Sequence, residues 1–174
     1  MQKNAAQTIC FCSLMVALAV LFQSAPVFLP AVGMAISPLA SLPIALAAVK
    51  SKPYGVAAWL ASTLILLIIY PQESAIFVCT TGLMGLFLGL HYTKKMYVSV
   101  GLSSIALFVG IIFLIYILQI NVLGDIPQSP FVVSILIILA FSTVYTIAWA
   151  WIVRLAVAFL IKGKFIKPVQ NPKK

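Results

Sequence analysis

Acidic residues are almost missing from this chain: two among 174, beside eleven Lys and Arg and a single His. Charged residues of both signs make up only 7% of it. A soluble fold of this length needs a polar surface, and so sparse a set cannot furnish one. The shortage also bears on chemistry. Both acids, Glu73 and Asp125, fall in segments that read as loops, so no buried carboxylate pair is at hand for acid–base work. His91 has no acid near it in sequence to orient it, and a Ser or Cys nucleophile wants a base within hydrogen-bond reach. No catalytic residue is assigned, and an enzyme is not expected. Cys10, Cys12 and Cys79 are three, an odd number, all in apolar stretches, which argues against a disulfide framework. Cys10-x-Cys12 lacks the further ligands that zinc requires, so neither a metal site nor a cofactor is expected. Gly82, Gly85 and Gly89 lie inside an apolar run rather than between a strand and a helix, which excludes a phosphate loop. Within the apolar runs only Arg154 is ionisable, and it lies near an end. A proton or cation pump needs more, so any energy source belongs to a partner.

What the chain has in quantity is apolar length. Sixty-four per cent of its residues are hydrophobic, with a mean hydropathy of +1.20. The runs approach or exceed the roughly 20 residues that cross a hydrocarbon core. They fall at about 8–28, 31–49, 55–70, 74–90, 97–120 and 131–161, separated by Pro, Gly and polar breakers. The first resembles a secretory signal, but Gln23 and Pro26 disfavour a cut there. The expected fold is all-α: a polytopic membrane protein, a bundle of six transmembrane helices forming a single domain over residues 1–174.

Threading these six runs through a bilayer sorts the charges. With the N-terminus inside, Lys3, Lys50, Lys52, Lys94, Lys95, Arg154, Lys162, Lys164, Lys167, Lys173 and Lys174 all face inward, which accounts for all eleven cations. Glu73 and Asp125 face outward with no cation beside them. Such a bias sets orientation during insertion, so both termini are expected in the cytoplasm and the protein in the plasma membrane. Tyr54, Trp59, Tyr92, Tyr97, Trp149 and Trp151 fall near the inner boundary, where interfacial aromatics gather. Cations that flank spans are anchors to the lipid bilayer and form no stripe for phosphates, so nucleic acid is not an expected partner. The tail from Lys162 to Lys167 suits anionic lipid.

The second run is the irregular one. Pro38 and Pro43 each remove a helical hydrogen bond, which leaves a kinked spanning helix or a re-entrant element. Broken helices at membrane depth can line a substrate site. Three pairs of small residues four apart, Ser13 and Ala17, Ala57 and Ala61, Gly85 and Gly89, allow close helix approach. Of these, Ser13, Ala17, Gly85 and Gly89 are the expected partner-docking positions, the alternative being packing inside the bundle. The outer side collects Gln23, Ser24, Tyr70, Gln72, Glu73, Tyr116, Gln119, Asn121, Asp125 and Gln128. Tyr116 and Gln119, three apart, are expected to share a helical face. Gln23, Ser24, Tyr70, Glu73, Tyr116, Gln119, Asn121 and Asp125 form the expected substrate set, either convergent on an apolar-walled pocket or spread over solvated span ends. With no outer cation, the ligand is expected to be weakly charged or apolar.

Ser13-Leu-Met-Val-Ala17-Leu-Ala19-Val, Leu42-Pro43-Ile-Ala-Leu-Ala-Ala-Val-Lys50 leading to Gly55, and Gly82-Leu-Met-Gly85-Leu-Phe-Leu-Gly89-Leu before Lys94-Lys95 give the chain a family texture. It resembles the substrate-binding S components of energy-coupling factor transporters, and also the longer, uncharacterised YybS-like bacterial membrane proteins. The first resemblance implies capture of a small substrate outside the cell. A separate energising transmembrane subunit with two ATPases then drives uptake, docking where the family has Ala-x-x-x-Ala and this chain has Ser13-x-x-x-Ala17. A competing expectation is a structural or assembly protein of the cell envelope, which recruits partners through its basic face and takes no ligand.

Overall fold

A computed structural model describes residues 2–120 and 131–162, with side chains from residue 6 onward. All regular structure in these residues is helical, and six helical stretches are long and apolar enough to cross a membrane. The first span is α1 (Gln2–Phe28). The second comprises α2 (Pro30–Ile36), a 3₁₀ turn at Ser37–Ala40 and α3 (Ser41–Lys50). The third is α4 (Lys52–Ile69). The fourth comprises α5 (Pro71–Cys79) and α6 (Thr81–Leu90). The fifth is α7 (Met96–Ile112), which runs into a π-helical turn at Phe113–Ile117. The sixth is α8 (Phe131–Lys162). Lys3, the segment with Asn121, Asp125 and Gln128, and the lysines beyond Lys162 lie outside the residues whose side chains are described.

Three of the turns between spans use a single device. Leu29, Ser51 and Tyr70 each stand alone between two helices in an extended or near-extended conformation, with a proline in the first turn of the helix that follows. Proline favours an extended predecessor and suits a helix start, where its missing N–H is not needed. The N–H of each lone residue closes the helix behind it: Leu29 to the Ala25 carbonyl at 2.9 Å, Ser51 to Ala47 at 3.0 Å, Tyr70 to Leu66 at 2.7 Å. Its own carbonyl accepts from the helix ahead, from Gly33, Gly55 and Ser74 respectively. One residue thus turns the chain and leaves neither of its polar backbone groups unpaired, as a non-aqueous setting demands.

The second span continues through its prolines. Ile36, Ser37, Ala40 and Ser41 all keep right-handed helical dihedrals, so the chain bends without reversing. Ser41 Oγ donates to the Pro38 carbonyl at 2.8 Å, a side-chain hydrogen bond within the bent turn. The segment is a kinked, continuous helical run, long and apolar enough to cross a membrane, and not a chain that turns back on itself.

Close approaches fix how the spans run past one another. A side chain at Gly85 would strike the Ser41 carbonyl, and one at Gly89 would strike the Ala45 carbonyl and lie 2.6 Å from Ala48 Cβ. Both partners advance in the same direction, so α3 and α6 pack side by side and parallel. Gly110 of α7 meets the Cys79 carbonyl at the end of α5 in the same intimate way. Ser104 and Thr143 hydroxyls lie 3.2 Å apart, and Arg154 Nη2 donates weakly to the Lys94 carbonyl at 3.5 Å. Those two contacts run in opposite senses along the sequence, so α8 lies antiparallel to α7.

The core is built on the second and fourth spans, whose most apolar stretches are each 56% buried, against 22% for the third and sixth. Small hydroxyl side chains, among them Ser41, Ser62, Ser103, Ser142 and Thr146, are buried inside beside large apolar ones such as Phe77, Ile44, Leu66 and Met84, while Ile68, Leu155 and Phe159 stand on the outside. An apolar outside with small and hydroxyl residues buried between helices is the packing expected when hydrocarbon, not water, surrounds the bundle. The buried face of α8, Ser134, Ile138, Ser142, Thr146, Ala150, Val153 and Val157, is a single stripe at helical spacing.

Candidate functional site

At the end of the bundle opposite Lys50 and His91, the packing opens. The fourth span is interrupted at Thr80, whose φ of −123° and ψ of −91° leave the helical region. Thr80 keeps both of its own backbone groups paired across the interruption: its N–H reaches the Ile76 carbonyl at 2.9 Å, and Met84 N–H reaches the Thr80 carbonyl at 2.8 Å. It is the same arrangement as at the turns, placed inside a span. The Thr80 hydroxyl also donates to the Ile76 carbonyl, at 2.6 Å.

Between this break and the 3₁₀ turn of the second span lies a cavity of about 390 Å³. Ser37 and Pro38 line it from one break, Thr80 and Thr81 from the other. Ile76, Leu107, Ile111 and Ile120 supply apolar wall, and Phe141 and Tyr145 of α8 add two rings stacked at 5.3 Å. Ile120 lies just past a third irregularity, the π turn that ends the fifth span. Such turns widen a helix locally and are frequent at functional sites. Two irregular segments of two spans therefore border one space, and the residue that follows a third adds to its wall. Its volume sits at the low end of the about 300–1,000 Å³ usual for small-molecule sites.

Glu73 forms the polar wall. It belongs to the first turn of α5, not to a loop, so the sequence-based placement is corrected. Pro71 opens that helix, and an acid in a first turn is favoured by the unpaired N–H groups there. Gln23 of α1, fully buried, donates from Nε2 to Glu73 Oε2 at 2.8 Å. Thr81 in turn donates its hydroxyl to Gln23 Oε1 at 2.7 Å. The chain Thr81 to Gln23 to Glu73 fixes which way the Gln23 amide faces: a carboxylate only accepts, so the amide nitrogen turns to Glu73 and the amide oxygen is left to receive the Thr81 hydroxyl. A carboxylate is thereby held in place on a largely apolar surface.

The other expected substrate residues fare differently. Ser24 is buried and donates to the Leu21 carbonyl within its own helix at 3.2 Å. Tyr70 is the exposed turn residue between α4 and α5. Tyr116 and Gln119 do not share a face: the π turn displaces one from the other, and the chain leaves the helix at Leu118. Tyr116 packs edge-on against Phe131 at 5.7 Å. Gln119 adopts a φ of 56°, the left-handed position usually given to Gly or Asn at a helix end. There it lets Ile120 N–H return to the Leu114 carbonyl at 2.9 Å. Asn121 and Asp125 lie outside the described residues. Thr80, Thr81, Phe141 and Tyr145 line the cavity without having been singled out, since a threonine inside an apolar run gives no sign that the helix breaks there.

The docking positions also divide. Ser13 and Ala17 are exposed on α1, available to another helix. Gly85 and Gly89 are buried against α3 of the same chain. Their expected partner role is corrected: the close approach that glycine permits is already used inside the bundle. His91 caps the end of α6, its Nδ1 3.1 Å from the Phe87 carbonyl and its ring over Phe87.

No protein-family model matches this chain, and no curated protein or solved structure matches it.

Proposed function

We propose that the protein is a membrane-embedded substrate-binding subunit of an uptake system, of the kind the S components represent. In this reading it lies in the plasma membrane with both termini cytoplasmic, the cavity opens outward, and the basic end faces the cytosol. One observation carries it: a cavity of about 390 Å³ bounded by breaks in two spans and by the carboxylate of Glu73. Broken helices that meet at a space with few polar groups are a recurrent way of building a transport site in a membrane. A bundle with only a structural duty has no need for two interruptions at its densest pair of spans.

The face of α1 with Ser13 and Ala17 is the proposed seat of the energising transmembrane subunit, which brings the ATPases. It is exposed, and it lies toward the basic end, where Lys50 Nζ stands 5.6 Å from the Phe11 ring. Purification from native membranes at native expression recovers ATPase subunits if this reading holds. Recovery of the protein alone, with no small molecule raising its melting temperature, returns the envelope-structural role to first place.

A further inference from the structure

Resting on the substrate-binding reading, we infer that the cavity takes a small organic cation: a protonated amine carried on a compact apolar or aromatic body. The hydrogen-bonding capacity of the wall points that way. Thr80 spends its hydroxyl proton on the Ile76 carbonyl and Thr81 spends its own on Gln23. A hydroxyl has one proton, so each offers a ligand only lone pairs. Pro38 brings no N–H to the carbonyl of Met34, one turn back in the wall. Glu73 receives one hydrogen bond among the described residues, from Gln23 to Oε2, which leaves Oε1 to accept another. Acceptors therefore prevail over the donors that Gln72, Ser37 and Tyr145 contribute.

Charge agrees with this count. Glu73 is the only acid among the described residues, and no lysine or arginine lines the cavity. Lys94 and Arg154 adjoin each other at the opposite end of α7 and α8. A carboxylate so placed repels an anionic ligand and pairs with an ammonium in charge-assisted hydrogen bonds. The stacked rings of Phe141 and Tyr145 offer faces that suit either a cation or a flat apolar body.

The experiment uses the full chain in lipid nanodiscs and three probes of matched shape: phenethylamine, 2-phenylethanol and 3-phenylpropionate. Each is titrated calorimetrically, and its effect on the melting temperature is recorded. The amine is expected to bind at least tenfold more tightly than the alcohol, with the carboxylate weakest. Glu73→Gln is expected to erase the preference for amine over alcohol. Since that variant is itself at risk of not folding, the order of the three probes on the wild-type chain stands as an independent test. An alcohol or carboxylate that binds as well as the amine overturns the amine assignment and leaves the substrate-binding reading intact. Failure of the amine to bind at all also overturns it. Recovery of ATPase subunits from native membranes, scored separately, then tells whether the wider reading falls too.

Discussion

From Ser41 to Lys50 the second span lies flush against Gly85 and Gly89 of the fourth, with backbone meeting backbone. Between Met34 and Pro38 the same two spans part around a cavity. The difference lies in a few residues. At the basic end, Ala45, Ala48, Gly85 and Gly89 take up so little room that the helices touch along whole turns. At the acidic end, Pro38 and Thr80 interrupt the helices, and Glu73 and Thr81 bring polar groups that Gln23 must satisfy. One pair of spans thus has a welded half and an open half. The welded half fixes the position of the open one, so the site is borne on rigid elements.

Substitutions separate the two halves most sharply where room is least. Gly85→Leu or Gly89→Leu is expected to cost about 3 kcal/mol, because the new side chain meets the backbone of α3. Thermal unfolding in detergent measures it, with Gly101→Ala as control. Nothing lies near a Cβ at Gly101, so that change is expected to be neutral or to stabilise by up to about 1 kcal/mol. If Gly85→Leu melts like the control, the welded half is not what holds the spans together.

A second test strikes the open half. Gln23→Leu removes the donor to Glu73 and the acceptor for Thr81, at an expected cost of about 2 kcal/mol for the buried groups left unpaired. Ligand binding is expected to fall by more than that loss of stability explains, since Glu73 is then free to turn away. Binding that survives intact in the folded variant separates the Gln23 network from the site.

Gln119→Gly should stabilise by about 1 kcal/mol, since glycine adopts the left-handed conformation without strain. Binding at the cavity should be unchanged if Gln119 ends the helix rather than contacting ligand. The smallest expected effect on stability, within about 0.5 kcal/mol, belongs to Ser13→Leu and Ala17→Leu on the exposed face of α1. Their consequence is expected in partner capture instead: ATPase subunits recovered with the wild type are lost with these variants. If capture survives, the partner sits elsewhere.

The amino-acid sequence by itself determined the class of the molecule and the limits of its spans. Runs of apolar residues bounded by Pro and Lys place the helices wherever the chain must cross hydrocarbon with every backbone group paired, and that requirement is local. Pro38 announced a bend in the second span for the same local reason: its ring and missing N–H act on the turn that contains it. Which residues meet was a different matter. Gly85 and Gly89 permit close approach to any helix, and only the fold showed that α3 occupies that face. Gln23 and Glu73 are fifty positions apart, and their hydrogen bond exists because α1 and α5 are brought together by the bundle. Thr80 breaks its helix although threonine needs no such break, while Gly110 of α7 presses against the neighbouring Cys79 carbonyl. Local chemistry sets what each segment is able to form; the packing of one segment on another selects among those possibilities, and the cavity was left where two such selections diverged.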